Sequence, residues 1–177
     1  MNSFDRALLY TLENEGAFTN DPLDRGGATR WGITREEARR WRGRPVSISE
    51  MESFPLSEAH DIYLAWYWKP LLLDSVDEES IATAIFDIGV VRGIGSSTRL
   101  AQKVCVLRGA HILVDRSMGK LTVASINRIS PADFIPPFID YLKQDFQNIV
   151  RKDPEQAHFL IGWFSRADRL SSLLKVA

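Results

Sequence analysis

The chain has a single cysteine, Cys105, so no disulfide can form within it and nothing in the thiol content ties it to an oxidising compartment. It has no excess of one charge: 22 basic residues face 23 acidic ones. That balance argues against nucleic acid as a partner, because such binders carry a marked basic surplus. It has no uninterrupted apolar run near the ~18 residues of a membrane span, so membrane insertion is not expected. The opening "MNSFDRALLYTLENEG" has no basic stretch followed by an apolar core, so no secretory signal is read there and synthesis in the cytoplasm is expected. Its three histidines, His60, His111 and His158, are too scattered for a metal-ligand spacing, and no metal is expected. What remains is a 177-residue chain with 45% hydrophobic residues, enough to build a core without staples.

Helical spacing dominates. Phe4, Ala7, Leu8, Thr11 and Leu12 form one apolar face, with Ser3 as the expected cap and Gly16 as the expected stop. Thr34 followed by Glu37 is a capping box and predicts a helix over 35–42. Its arginines, Arg35, Arg39, Arg40 and Arg42, together with Arg44, read as a solvated face rather than a phosphate site. Further helices are expected from Ser57 to Pro70, within "VDEESIATAIFDIGVVRGIG" with Ile81, Ala84, Ile85 and Ile88 on one stripe and Gly93 and Gly95 ending it, through "SSTRLAQKVCVLRG", over 122–129, from the Pro136-Pro137 pair onward, and through a last segment bent at Gly162. Placing the start at the proline pair follows from proline suiting a first turn and not a helix interior. A short extended piece is expected over 112–114 in an otherwise irregular loop. Only residues 17–33, rich in Asn, Asp, Pro and Gly, read as turns joining short strands.

The fold class is therefore mainly α, with a helical bundle and one small β-hairpin. "KPLLLDSVDEES" is the best internal boundary, giving an N-terminal lobe over 1–73 and a helical lobe over 74–177, packed as one unit.

Two carboxylates stand out. At about 100° per residue, Glu15 lies seven residues past Leu8 and points along the apolar face, while Glu13 points away from it. A carboxyl on such a face has its pKa raised by burial, which suits a general acid. Asp24 follows nine residues later, within a stretch able to fold back across a groove. Gly26 and Gly27 leave room for a ligand beside the backbone, and Thr29 adds a hydroxyl. Carboxylates on two walls of a groove are what glycoside hydrolysis needs. The same residues also fit a plain Asp-Gly turn, with Glu15 paired to Arg30 or Arg92. Phe18 and Trp31 flank the turn, and Asn20 sits within it. Among Trp66, Tyr67 and Trp68 at least one must be partly exposed, because three consecutive aromatics cannot all face one core. Tyr67 and Trp68 join Phe18, Asn20, Gly26, Gly27 and Trp31 as candidate substrate contacts. Trp66 and Trp163 read as core, and Cys105 as a buried helix thiol rather than a nucleophile.

"ENEGAFTNDPLDRGGATRWGIT" resembles the signature of the glycoside hydrolase family 108 N-acetylmuramidases, through Glu15-Gly16, Phe18, Asn20, Pro22, Asp24, Gly26, Gly27, Thr29 and Gly32-Ile33-Thr34. Ala17 stands where the family has a second glycine. The Glu-to-Asp spacing is also similar to that of phage lysozymes, with Thr29 one position earlier than in those enzymes. The second half is similar to the family's peptidoglycan-binding region: Asp87, Gly89, Val90 and Gly93 in "FDIGVVRG"; Asp115, Gly119 and Thr122 in "VDRSMGKLT"; Gly162, Trp163 and Arg166 in "FLIGWFSR". Val91 and Arg116 replace the usual asparagine and glycine.

The resemblance implies a lysozyme-like α+β fold, with the hairpin next to the helix that carries Glu15. It implies cleavage of the β-1,4 bond between N-acetylmuramic acid and N-acetylglucosamine, with Glu15 as acid, Asp24 as base or electrostatic partner and Thr29 assisting. No cofactor is implied. The partners are peptidoglycan strands, with a holin or a secretion system providing access to the wall and a monomer as the expected state. The alternative is a catalytically weak module that binds peptidoglycan or scaffolds a wall-spanning assembly. A zinc amidase or a Cys/His peptidase lacks its ligand cluster or dyad.

Overall fold

A computed structural model of the chain describes residues 1–13 and 28–175. It is mainly helical, with one two-stranded antiparallel sheet among the described residues, as the sequence leads one to expect. The elements are α1 (Ser3–Leu12), β1 (Thr29–Arg30), β2 (Ile33–Thr34), α2 (Arg35–Arg42), α3 (Ile48–Glu52), α4 (Leu56–Tyr63), α5 (Glu79–Arg92), α6 (Ile94–Leu107), α7 (Lys120–Ile126), α8 (Pro131–Lys152) and α9 (Leu160–Arg169). A π turn (Leu64–Trp68) extends α4, and 3-10 turns flank α9.

The centre is α5. Every residue from Ile81 to Gly89 is buried, so the helix is covered on all sides rather than along one stripe. It packs against α1, α6 and α8. At Gly89 a Cβ would lie 2.9 Å from Leu71 Cδ1 and 3.3 Å from Ser97 Oγ, so a larger residue here would force the buried Leu71 side chain to shift. Phe4 of α1, Phe86 of α5 and Trp68 form an aromatic cluster with ring centroids 5.3 to 5.8 Å apart. Such tilted and edge-on pairs add to the area they bury.

The starts of α1, α2, α3 and α8 carry a side-chain cap. The Thr34–Glu37 box is present, and α2 runs over the expected residues. α1 is capped by Asn2, not Ser3: the Asn2 side chain accepts from the Asp5 amide at 2.8 Å, and Asp5 answers at the Asn2 amide. Three other expectations need correction. The helix placed at the proline pair starts earlier, with Ser130 as cap and Pro131 in its first turn, and Pro136 and Pro137 lie inside it. Pro137 cannot donate to the Asp133 carbonyl four residues back. Arg108, the C-cap of α6, donates to that carbonyl instead, through Nη2 at 2.8 Å and Nε at 3.1 Å. Residues 112–114 form no strand, and α7 covers Lys120–Ile126 rather than 122–129. Asn127 follows the last turn of α7, and its side chain turns to the segment before α5, donating to the Ser75 carbonyl at 2.9 Å and accepting from the Asp77 amide at 3.2 Å.

The arginines around α2 are spent on acids and rings. Arg42 forks onto Glu58 (2.7 and 2.8 Å), Arg44 meets Glu50 at 2.7 Å, Arg39 pairs with Glu36, and Arg40 lies 4.7 Å over the Trp66 ring. The Arg44 guanidinium pulls the Glu50 carboxyl down to about 2. A stretch neutralised in this way is not a phosphate cradle.

Candidate active site

Glu15, Phe18, Asn20, Asp24, Gly26 and Gly27 lie outside the described residues. The structure does describe what stands at both ends of that segment. On the α1 side, Phe4, Ala7, Leu8 and Thr11 are buried, which confirms the inward face from which the Glu15 phase was counted. Glu13 points outward, its side chain 72% exposed, as that phase requires. On the other side Ala28 is buried, and its carbonyl accepts from the Arg35 amide at 2.9 Å.

The hairpin follows immediately. Thr29 pairs with Thr34, and Arg30 with Ile33. The two turn residues, Trp31 and Gly32, both have positive φ, 54° and 73°, which a tight two-residue hairpin turn demands. A tryptophan in this region is strained by roughly 1–2 kcal/mol. Two hydrogen bonds hold it there: Trp31 Nε1 donates to the Phe54 carbonyl, and the Tyr63 hydroxyl donates to the Trp31 carbonyl, each at 2.9 Å.

Thr29, Trp31 and Tyr67 are brought to one region. Thr34, opposite Thr29, gives its amide and hydroxyl to Glu37 Oε2, both at 2.8 Å. Glu37 Oε1 accepts from the Tyr67 hydroxyl at 3.4 Å. Burial, and then the Glu37 charge, push the Tyr67 phenol up to about 12, so it stays a neutral donor at physiological pH. Tyr67 and Trp66 are partly exposed. Trp66 meets Trp41 edge-on at 5.8 Å, on the surface side of the helix rather than in the centre of the core. Trp68 does not join this region. It is fully buried, and its Nε1 donates to Asp74 Oδ1 at 2.7 Å, so it packs the core and offers no face to a ligand.

Behind α1 lies a charged cluster. Asp87 is 0% exposed in the middle of α5. Arg166 of α9 grips it with both branches, Nη2 to Oδ1 at 2.7 Å and Nε to Oδ2 at 3.0 Å. Arg169, one turn on, lies 3.9 Å from Asp87 Oδ1 and donates to the Tyr10 carbonyl in the last turn of α1 at 2.7 Å. Asp87 and Arg166 were each singled out as motif residues. Their pairing across 79 positions is what the structure adds. The only advance indication was a charge inside "IATAIFDIGVV", which needs a buried partner.

The "VDRSMGKLT" motif builds a loop. Asp115 Oδ1 accepts from Gln102 Nε2 and from the Ser117 amide, each at 2.8 Å, and Gln102 also reaches Thr122 Oγ1 at 3.3 Å. The Gln102 hydrogen bond holds the Asp115 carboxyl below its usual range. Arg116 has φ 68°, where a side chain is unfavourable. Its amide bond to Gln102 Oε1, at 3.0 Å, is a backbone contact that glycine would keep. Arg116→Gly is therefore expected to raise stability by up to about 1 kcal/mol, strain relief exceeding the added chain entropy. A urea titration showing a lower midpoint would contradict this.

Among the described residues, no group of three or more His, Cys, Asp or Glu side chains is placed to hold a metal, and no helix is long and apolar enough to cross a membrane. Cys105 is buried, and burial pushes its thiol up to about 11. A raised thiol pKa leaves little thiolate at pH 7, so alkylation of the native protein should stay negligible there and become rapid only on unfolding. Mass spectrometry after maleimide treatment checks this; complete native labelling at pH 7 would refute it.

A mainly helical chain with one small antiparallel hairpin among the described residues has the make-up of a lysozyme-like fold. Residues 8–93 match the model of the family described as glycosyl hydrolase 108. The structure is similar to that of SagA from Brucella abortus, with a TM-score of 0.79 and 26% sequence identity, over 98% of this chain and 94% of that chain. No curated protein sequence matches the chain.

Proposed function

We propose that the protein is a peptidoglycan hydrolase of the muramidase type, cleaving the β-1,4 bond between N-acetylmuramic acid and N-acetylglucosamine. The observation that carries this reading is the family match over residues 8–93, which contains the whole stretch from Glu15 to Thr34. Glu15 protonates the leaving glycosidic oxygen. Asp24 acts as base for the attacking water or balances the positive charge that develops on the sugar. Thr29 assists from the first strand, and Trp31 and Tyr67 line the same wall, one fixed by the hairpin turn and the other by Glu37. Phe18, Asn20, Gly26 and Gly27 are the further candidate substrate contacts. The protein acts at the wall as a monomer, after passage through a holin or delivery by a secretion system.

The test is digestion of purified sacculi. Soluble fragments with new reducing ends, released equally with and without a chelator, are expected. Soluble peptides without new reducing ends would overturn the reading in favour of amide cleavage.

A further inference from the structure

The family match ends at residue 93, yet α9 reaches back to the end of α1. The geometry points to Arg169 as a positioning residue for the glycosidase reaction: it fixes the last turn of α1, from which Glu15 follows two residues after Glu13. This role rests on Glu15 being the general acid proposed above.

The last carbonyls of a helix have no partner within it. In α1 the Leu9 carbonyl accepts from the Glu13 amide at 3.0 Å, and the Tyr10 carbonyl is taken by Arg169 Nη2 at 2.7 Å. The same guanidinium lies 3.9 Å from the centre of the Tyr10 ring, and its Nη1 is 3.5 Å from Glu13 Oε2. A cation here also complements the negative end of the helix dipole. One side chain thus meets the backbone, a ring and a carboxylate of a single helical turn.

Arg169 has its own support. Asp87, fully buried and already forked by Arg166, lies 3.9 Å from Nη2. The central helix α5 therefore holds α9, and α9 holds the end of α1. Catalysis is sensitive to small displacements of the acid, so a brace at this turn acts on the rate without touching the sugar. Arg169 also lines a cavity of about 480 Å³ with Val91, Phe146, Trp163 and Arg166, so a direct contact with substrate is the competing role.

The full chain and its Arg169→Gln and Arg169→Lys variants would be assayed for kcat and KM on soluble glycan strands, with circular dichroism and melting to follow folding. Arg169→Gln is expected to lower kcat about 10- to 100-fold with KM changed less than about threefold. Arg169→Lys keeps the charge and a donor, and is expected to recover about tenfold of that loss. A kcat within about twofold of wild type, a loss carried mainly by KM, or a loss matching the unfolded fraction would each overturn the positioning role. An inactive wild type would overturn the muramidase reading and this role with it. An active wild type beside an unaffected Arg169→Gln would overturn the positioning role alone.

Discussion

Glu15→Gln is expected to abolish glycan cleavage while the melting temperature stays near that of wild type. Glutamine keeps the shape and hydrogen-bonding reach of the side chain but has no proton to deliver to a leaving oxygen. General acid catalysis contributes roughly 10²- to 10⁴-fold, so the residual rate should fall to the limit of a reducing-end assay. The choice of Glu15 over Glu13 is physical. Phe4, Ala7, Leu8 and Thr11 are buried along one face of α1, the face to which helical phase assigns Glu15 in the sequence, whereas Glu13 is exposed beside Arg169. Glu13→Gln should therefore leave most of the activity, and the pair of variants forms an internal control. Undiminished release by Glu15→Gln would remove Glu15 from the chemistry.

The second large effect concerns stability. Arg166→Met should destabilise the fold by about 3–5 kcal/mol, because it breaks a buried ion pair and, among the described residues, leaves Arg169, 3.9 Å away, as the cation nearest the Asp87 side chain. The pair itself is not a strong source of stability, since desolvation offsets much of its attraction. The double variant Asp87→Leu with Arg166→Met should accordingly recover most of the loss, which a double-mutant cycle in urea would show. A cost below about 1 kcal/mol for Arg166→Met alone would mean that Asp87 is not held as described.

Much of this fold was legible because the deciding interactions are local. The capping box at Thr34 and Glu37 lies within four residues, and α2 starts where it dictates. The inward face of α1 needed only helical phase. The errors arose where distant chain decides. Pro136 and Pro137 signal a helix start, but Arg108, at the end of α6, satisfies the carbonyl that Pro137 abandons. Trp68 was expected at the groove, yet the π turn over Leu64–Trp68 widens the helix and changes its phase, sending this ring in beside Phe4 and Phe86. The clasp of Arg169 on Tyr10 spans 159 positions, and no periodicity announces it. The candidate site divides in the same way. Its carboxylates were read from phase and family likeness, whereas the support around Trp31, Glu37 and Tyr67 emerged only from the packed hairpin.

The central claim is tested most directly by the identity of the sugar at the new reducing end. Sacculi digested with the wild-type protein, reduced with borohydride and separated by mass spectrometry, should yield muropeptides ending in reduced N-acetylmuramic acid, with none formed by Glu15→Gln. Fragments ending in reduced N-acetylglucosamine, or intact glycan strands stripped of peptide, would contradict the account.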